Sequence, residues 1–193
     1  MKKALLYASI LALPAFFACS RSVSRISPSE QVDISGRWNN TDSRLVSEEM
    51  IQTVLNSNWL ATHVQAKGGK PTVIVGFVAN KSHEHIDAET FVKDVEQSFV
   101  KSERVRLVQG GKKREELRAE RADQQTNSSA STMKKFGLES GADYILQGSI
   151  NSIVDAHKKK KEVYYQINLE LTNLETNEVV WIGDKKIAKL VKN

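Results

Sequence analysis

Residues 165–172 alternate strictly between apolar and polar side chains, and this alternation constrains the fold more than any other feature. Tyr165, Ile167, Leu169 and Leu171 form the apolar set, with polar side chains between them. Because successive side chains of a β-strand point to opposite faces, one face is buried and the other is wet. Segments 142–156 and 179–191 predict two further long strands joined by hairpins. We therefore expect a C-terminal antiparallel meander of three strands.

The residues before the meander predict alternating helices and strands. The first predicted element is a helix capped by Thr41 or Asp42, whose buried face carries Leu45, Val46, Met50, Val54 and Leu55. A strand over 72–78 and a helix over 87–101 capped by Asp87 follow it. The next predicted elements are a strand over 105–108, a charged helix over 112–125 and a short helix over 130–138. These helices should pack on a mixed sheet that includes the meander. The predicted fold class is α/β, with a single domain.

The first residues predict export. Lys2 and Lys3 precede an apolar run that ends at Ala18, as in a secretory signal peptide over residues 1–18. Cys19, the only cysteine, follows at once and resembles the lipidated cysteine of bacterial lipoproteins. The alternative is a soluble secreted chain with an incidental thiol. We expect Cys19 to be a lipid anchor, residues 19–35 to be its flexible linker, and residues 36–193 to be the folded domain.

Composition excludes some functions. Removal of residues 1–18 takes two lysines from the 28 basic side chains and leaves 26 against 23 acidic ones, or about +3. This balance does not favour a nucleic-acid partner.

Residues 82–87, SHEHID, are the one concentrated group of candidate metal ligands. His83 and His85 with Glu84 or Asp87 could bind a metal, but they lack the i, i+4 helical spacing of zinc hydrolases. The sequence contains no G-x-S-x-G, G-x-G-x-x-G or Walker motif. We therefore predict no enzyme activity, no metal and no cofactor.

Three segments carry a resemblance to a known family: VIVGFVANKSHEHIDAETF, LESGADYILQGSI and YQINLELTNLETNEVVWIGDKKI. Their order and spacing, together with SGRWNNTDSRL at residues 35–45, resemble the LpoB family of lipoproteins that activate penicillin-binding proteins. The resemblance covers about residues 35–190.

The resemblance implies a fold related to the N-terminal domain of TolB and a regulator without catalysis. Such a protein is anchored in the outer membrane, faces the periplasm and binds a class A penicillin-binding protein to stimulate peptidoglycan synthesis. The linker over residues 20–35 is shorter than in the best-known members. The alternative is a component of an outer-membrane assembly or secretion complex related to CsgG and TolB. The oligomeric state remains open.

Two surfaces are candidates for contact with partners. The predicted partner-binding residues are Arg37, Trp38, Asn40, Arg44, Asn80, Lys81, Ser82, His83 and His85. The lysine run of residues 157–162, HKKKKE, is predicted to form a solvated hairpin tip, and its alternative role is to bind anionic lipid or acidic wall polymer. Trp181 is predicted to be in the core.

Overall fold

The computed structural model describes residues 22–134 and 139–192, in which four helices and five strands are found. They are α1 Asn40–Asn56, α2 Asn58–Lys67, β1 Thr72–Lys81, α3 Ala88–Ser102, β2 Arg106–Leu107, α4 Gly111–Asn127, β3 Tyr144–His157, β4 Lys160–Asn173 and β5 Val179–Lys192. From Gln31 onward the chain belongs to one compact unit, and residues 22–30 contain only a turn. The predicted α/β class is confirmed.

The five strands form one mixed sheet in the order β2-β1-β3-β4-β5. β1 is parallel to both β2 and β3, and β3, β4 and β5 are antiparallel neighbours. The predicted C-terminal meander is therefore confirmed. β2 and β5 are the two edge strands of the sheet.

The alternating residues of β4 form the centre of the core. Tyr165, Ile167, Leu169 and Leu171 are fully buried, and the core also contains residues of α1 and α3. Alternation puts these four side chains on one face, which the helices cover. Trp181, expected in the core, is partly buried and packs against it.

Helix α1 begins two residues earlier than the predicted caps allow. The cap is Asn39, whose side-chain oxygen accepts from the backbone N–H groups of Thr41 at 2.9 Å and Asp42 at 3.2 Å. The Asp42 carboxylate accepts in turn from the Asn39 N–H at 2.9 Å, which completes a capping box. Thr41 and Asp42 are therefore inside the helix. Leu45, expected on the buried face, is exposed.

Helix α2 was not predicted from the sequence. Ser57 has an extended backbone that separates α2 from α1, and the indole N–H of Trp59 donates to Val54 O at 2.6 Å across this break. The break fixes Trp59 in the core. No hydrophobic periodicity marked this helix, because its buried residues are only Trp59, Leu60 and His63.

The other helices match their predictions unevenly. Asp87 caps α3 as expected, since its carboxylate accepts from the Glu89 N–H at 2.9 Å. Helix α4 is charged and has no fully buried residue. The predicted helix over 130–138 is not formed by residues 130–134, where the chain makes a turn, and residues 135–138 lie outside the described residues.

Candidate partner-binding cleft

A cleft of about 510 Å³ lies where the segment before α1 meets the loop after β1. Five of the nine predicted contact residues line it: Arg37, Trp38, Asn40, His83 and His85. The walls come from parts of the chain more than 40 residues apart, and Lys161 of β4 completes the lining. The structure thus brings the two predicted halves of the contact surface together.

Asn80 and Ser82 shape the loop and do not line the cleft. The Asn80 amide donates to Glu84 O at 2.8 Å and to Ile86 O at 3.3 Å. Its side-chain oxygen accepts from the Ser82 hydroxyl at 2.7 Å and from the Ser82 N–H at 3.0 Å. These bonds fold residues 80–86 into a fixed turn that presents His83 and His85.

Lys81 and Arg44 do not line the cleft. Lys81 is the exposed last residue of β1. Arg44 lies on α1, where its Nη1 is 3.3 Å from the Glu48 carboxylate. Its Nε has no hydrogen-bond partner among the described residues.

Glu84 is a residue of the site that the sequence analysis did not assign to it. Its side chain is only 12 % exposed, and Oε2 accepts from the Trp38 N–H at 3.1 Å. Oε1 lies 3.3 Å from His83 Nε2. Glu84 therefore ties the segment before α1 to the loop after β1. The only sequence signal for Glu84 was its position between two histidines. That position indicated a metal ligand and not an acceptor for the backbone N–H of Trp38.

Tyr165 lies beneath the cleft and supports two of its walls. The ring of Trp38 meets it edge to face at 5.6 Å between centroids, and the ring of His83 stacks on it at 6.3 Å. Burial, together with the neighbouring Glu84 carboxylate, raises the pKa of Tyr165 far above its ordinary value. The phenol is therefore neutral throughout the physiological pH range.

His83 also contacts a hydroxyl group, that of Ser152 on β3, with 2.7 Å between its Nδ1 and Ser152 Oγ. Serine, histidine and glutamate thus stand in a row, as in some hydrolases. However, Ser152 Oγ accepts from the His83 N–H at 2.9 Å, and Ser152 does not line the cleft. The hydroxyl therefore positions the loop and is not presented to a substrate.

A buried lysine fixes the segment that carries Arg37 and Trp38. Lys189 Nζ of β5 is 2.6 Å from carboxylate oxygens of both Asp33 and Asp42, and it donates to Arg37 O at 3.0 Å. Its side chain is only 8 % exposed. We call Lys189, Asp33 and Asp42 the lysine clasp. The sequence signal was a lysine at an inward-facing position of a strand, which the analysis had not noted.

The described part of the chain offers no metal site and no membrane span. In residues 22–134 and 139–192, no group of three or more His, Cys, Asp or Glu side chains is placed to bind a metal ion. None of the helices there combines the length and the apolar character required to cross a bilayer. Cys19 lies outside the described residues.

Comparison with known proteins identifies the family. Residues 42–187 match the family model described as peptidoglycan-synthase activator LpoB. The chain belongs to the LpoB family. This family consists of activators of peptidoglycan synthases and is not defined by a catalytic activity of its own. The family resemblance noted in the sequence is thereby confirmed.

Solved structures of LpoB are also similar to this chain. The LpoB C-terminal domain from Escherichia coli is 16 % identical, with a TM-score of 0.46, and the match covers 76 % of this chain and 98 % of that one. The Salmonella enterica LpoB C-terminal domain is 18 % identical, with a TM-score of 0.36, and the match covers 66 % and 91 %. No curated protein sequence matches.

The family match contains only part of the cleft. It includes the loop with His83, Glu84 and His85, and it begins after Arg37 and Trp38. It also ends before Lys189. The segment before α1 and the lysine that holds it are therefore features of this chain beyond the matched region.

Proposed function

We propose that this chain is a periplasmic lipoprotein of the outer membrane that binds and activates a class A penicillin-binding protein. The observation that carries the proposal is the family match to peptidoglycan-synthase activators over residues 42–187. The signal-like residues 1–18 and the cysteine that follows them support the lipid anchor. Diacylation of Cys19 would retain the domain at the membrane, because two acyl chains anchor durably where one does not.

The cleft is the proposed contact surface. Trp38 and Arg37 line it, and both residue types are frequent among the residues that dominate binding energy. Trp38 is held against Tyr165 and its backbone is bonded to Glu84, so binding would require little ordering of this side chain. Asn40, His83 and His85 line the same cleft as Trp38, and their polar groups can form hydrogen bonds with a partner.

The proposed mechanism contains no chemical step. The domain binds the synthase and shifts it toward its active conformation, which requires that it bind this conformation more tightly than the inactive one. The shape and charge of the cleft would provide this preference for the active conformation. Eleven residues lie between Cys19 and Gln31 and reach at most about 40 Å, so the partner has to approach the membrane that carries the anchor.

The test is to titrate unlipidated chain, from Ser20, into glycan-polymerisation assays with each class A synthase of the same organism. We expect a saturable rise in rate with one synthase. The Arg37→Ala variant should need at least about tenfold more protein for the same rise, as loss of an interface anchor does. Arg106→Ala, which removes the same charge from exposed strand β2 outside the cleft, is the matched control.

Two results would contradict the proposal. If neither binding nor stimulation occurs with any of the synthases, the chain is not their activator. A ring-shaped oligomer in electron microscopy would then favour a component of an assembly or secretion complex. If stimulation occurs but Arg37→Ala and Arg106→Ala behave alike, the activator function stands and the cleft is not the contact surface.

A further inference from the structure

The turn between β3 and β4 concentrates positive charge at one end of the sheet. Lys158 and Lys159 form the turn, and Lys160 and Lys161 begin β4. The strand register places Lys192 of β5 directly opposite Lys160. We call these five residues the lysine tip. The turn predicted from the sequence is therefore present, and β5 adds a fifth lysine that the sequence did not place there.

The lysine tip has no acidic partner among the described residues. Several lysines elsewhere do have one, for example Lys67 with Glu175 at 2.7 Å and Lys186 with Asp184 at 3.3 Å. In the described part of the chain, no carboxylate lies within 4.0 Å of any of the five tip lysines. A cluster of like charges of this kind creates a positive potential that attracts external anions.

The nearest acidic residues in the register lie behind the tip. Asp155 and Glu162 face each other in the third residue row from the turn, and Leu190 of β5 is opposite Glu162. Leu190 is 60 % exposed. The end of the sheet therefore has the lysines outermost and the two carboxylates behind them, so an external anionic surface meets the positive charges first.

The first segment of the domain passes close to this same end. Gly36 lies against Val191, so close that a Cβ at position 36 would be 2.3 Å from Val191 Cγ2. Val191 is paired in turn with Lys161. The first segment of the domain therefore passes the lysine tip at Gly36 and reaches Lys189, two residues farther from the tip, at Asp33. A tether attached to this segment would keep the lysine tip close to the membrane.

We propose that the lysine tip docks on the anionic headgroups of the membrane that carries the lipid anchor. The proposal goes beyond synthase activation and rests on the proposed anchor only for the tether. An acyl anchor and a basic patch commonly act together as two membrane signals. Each lysine near an anionic surface contributes about fivefold to membrane partitioning. Docking would fix the orientation of the domain relative to the membrane. It would also hold the cleft close to the membrane surface, because Lys161 belongs both to the lysine tip and to the lining of the cleft.

The experiment is co-sedimentation of the unlipidated chain, from Ser20, with lipid vesicles. One set contains phosphatidylglycerol in phosphatidylcholine, and the other contains phosphatidylcholine alone. We expect binding to the anionic vesicles only, and its loss at high salt because exposed charges are then screened. The triple variant Lys158→Gln, Lys159→Gln, Lys160→Gln should bind about tenfold or more weakly.

A second triple variant separates the tip from net charge. Lys70→Gln, Lys101→Gln, Lys112→Gln removes three exposed lysines elsewhere in the domain and should retain nearly all vesicle binding. Circular dichroism of each variant checks that the fold is kept. Equal losses in the two triple variants, or no binding of the original chain to anionic vesicles, would overturn the proposal. Binding to isolated peptidoglycan alone would overturn it too and assign the tip to an acidic wall polymer. No synthase is present, so the result does not depend on the activator function.

Discussion

Lys189 carries a positive charge into an almost fully enclosed position, where two carboxylates and a backbone carbonyl surround it. The Lys189→Met variant keeps the length of the side chain but leaves the buried Asp42 without its cation. We expect the free energy of unfolding to fall by about 3–5 kcal/mol, the usual cost of breaking a buried ion pair. Urea unfolding followed by circular dichroism measures this.

The control for this variant lies on the same strand and the same face. Lys185 pairs with Glu49 at the surface, so Lys185→Met should change the free energy of unfolding by less than about 1 kcal/mol. Similar values for the two variants would mean that the lysine clasp does not stabilise the domain.

Tyr165 gives the domain a dependence on alkaline pH. Its pKa is raised above the ordinary value of 10.0 because the ring is buried and lies beside Glu84. The unfolded chain therefore loses this proton first as the pH rises. The stability that the neutral phenol provides is complete below pH 10 and is lost as the pH rises from 10 toward the raised pKa.

The Tyr165→Phe variant tests this dependence. It removes a hydroxyl that has no hydrogen bond of good geometry among the described residues, so near pH 7 its stability should stay within about 1 kcal/mol of the original. Above pH 10 the original chain should lose stability more steeply than the variant. Parallel curves of unfolding free energy against pH would show that Tyr165 does not titrate in this way.

At the level of elements, Asn39 holds the start of α1 and also the chain before it. Its side-chain oxygen caps the helix, and its amide nitrogen donates to Asp33 Oδ1 at 2.9 Å and to Val32 O at 3.2 Å. Asn39→Ala loses both functions, and we expect it to cost about 1–2 kcal/mol of stability. Asn39→Ser keeps a capping oxygen and should recover about half of the loss. Thermal unfolding of the two variants checks this order, and equal losses would exclude a capping role.

The regular elements were predictable where one residue pattern decided the structure. The alternating apolar residues of β4 were enough to predict the meander, because they mark four inward-facing positions in a row. Asp87 before an amphipathic segment was enough to predict α3 and its cap. Helix α2 was missed because a break at Ser57, not a change in hydrophobicity, separates it from α1. The cap of α1 was misplaced because Thr41, Asp42 and Asn39 are all good capping residues, and only the reciprocal bond to Asp42 selects Asn39.

The candidate site was predictable in part, for a related reason. Arg37, His83 and His85 are exposed and Trp38 is partly buried, but all four are polar or aromatic residues in loops, which a sequence can mark. Glu84 and Lys189 work through contacts with residues 46 and 147 positions away, which no local pattern specifies. Five of the nine predicted contact residues line one cleft, and their role in partner binding stays a prediction.

For the whole molecule, the lysine clasp defines where the folded unit must begin. A chain that starts at Gln31 keeps Asp33 and the bond from Lys189 to Arg37 O, so its unfolding temperature should equal that of the chain from Ser20. A chain that starts at Trp38 loses both contacts and should unfold several degrees lower, since about 1 kcal/mol corresponds to a few degrees at this size. Calorimetry measures both. Equal temperatures would show that residues 31–37 do not contribute to the domain.

The clasp also has a consequence for the order in which the domain can form. It joins Asp33 and Lys189, which are 156 positions apart, so all elements from α1 to β4 lie in the loop that this contact closes. The entropy of closing such a loop is large, whereas the neighbouring strands of the meander pair over short separations. A chain made from its N-terminus presents Asp33 early, but it presents Lys189 only after the residues of β3, β4 and most of β5 have followed. The segment that bears Arg37 and Trp38 is therefore fixed late, and the cleft assembles only after the sheet that supports it.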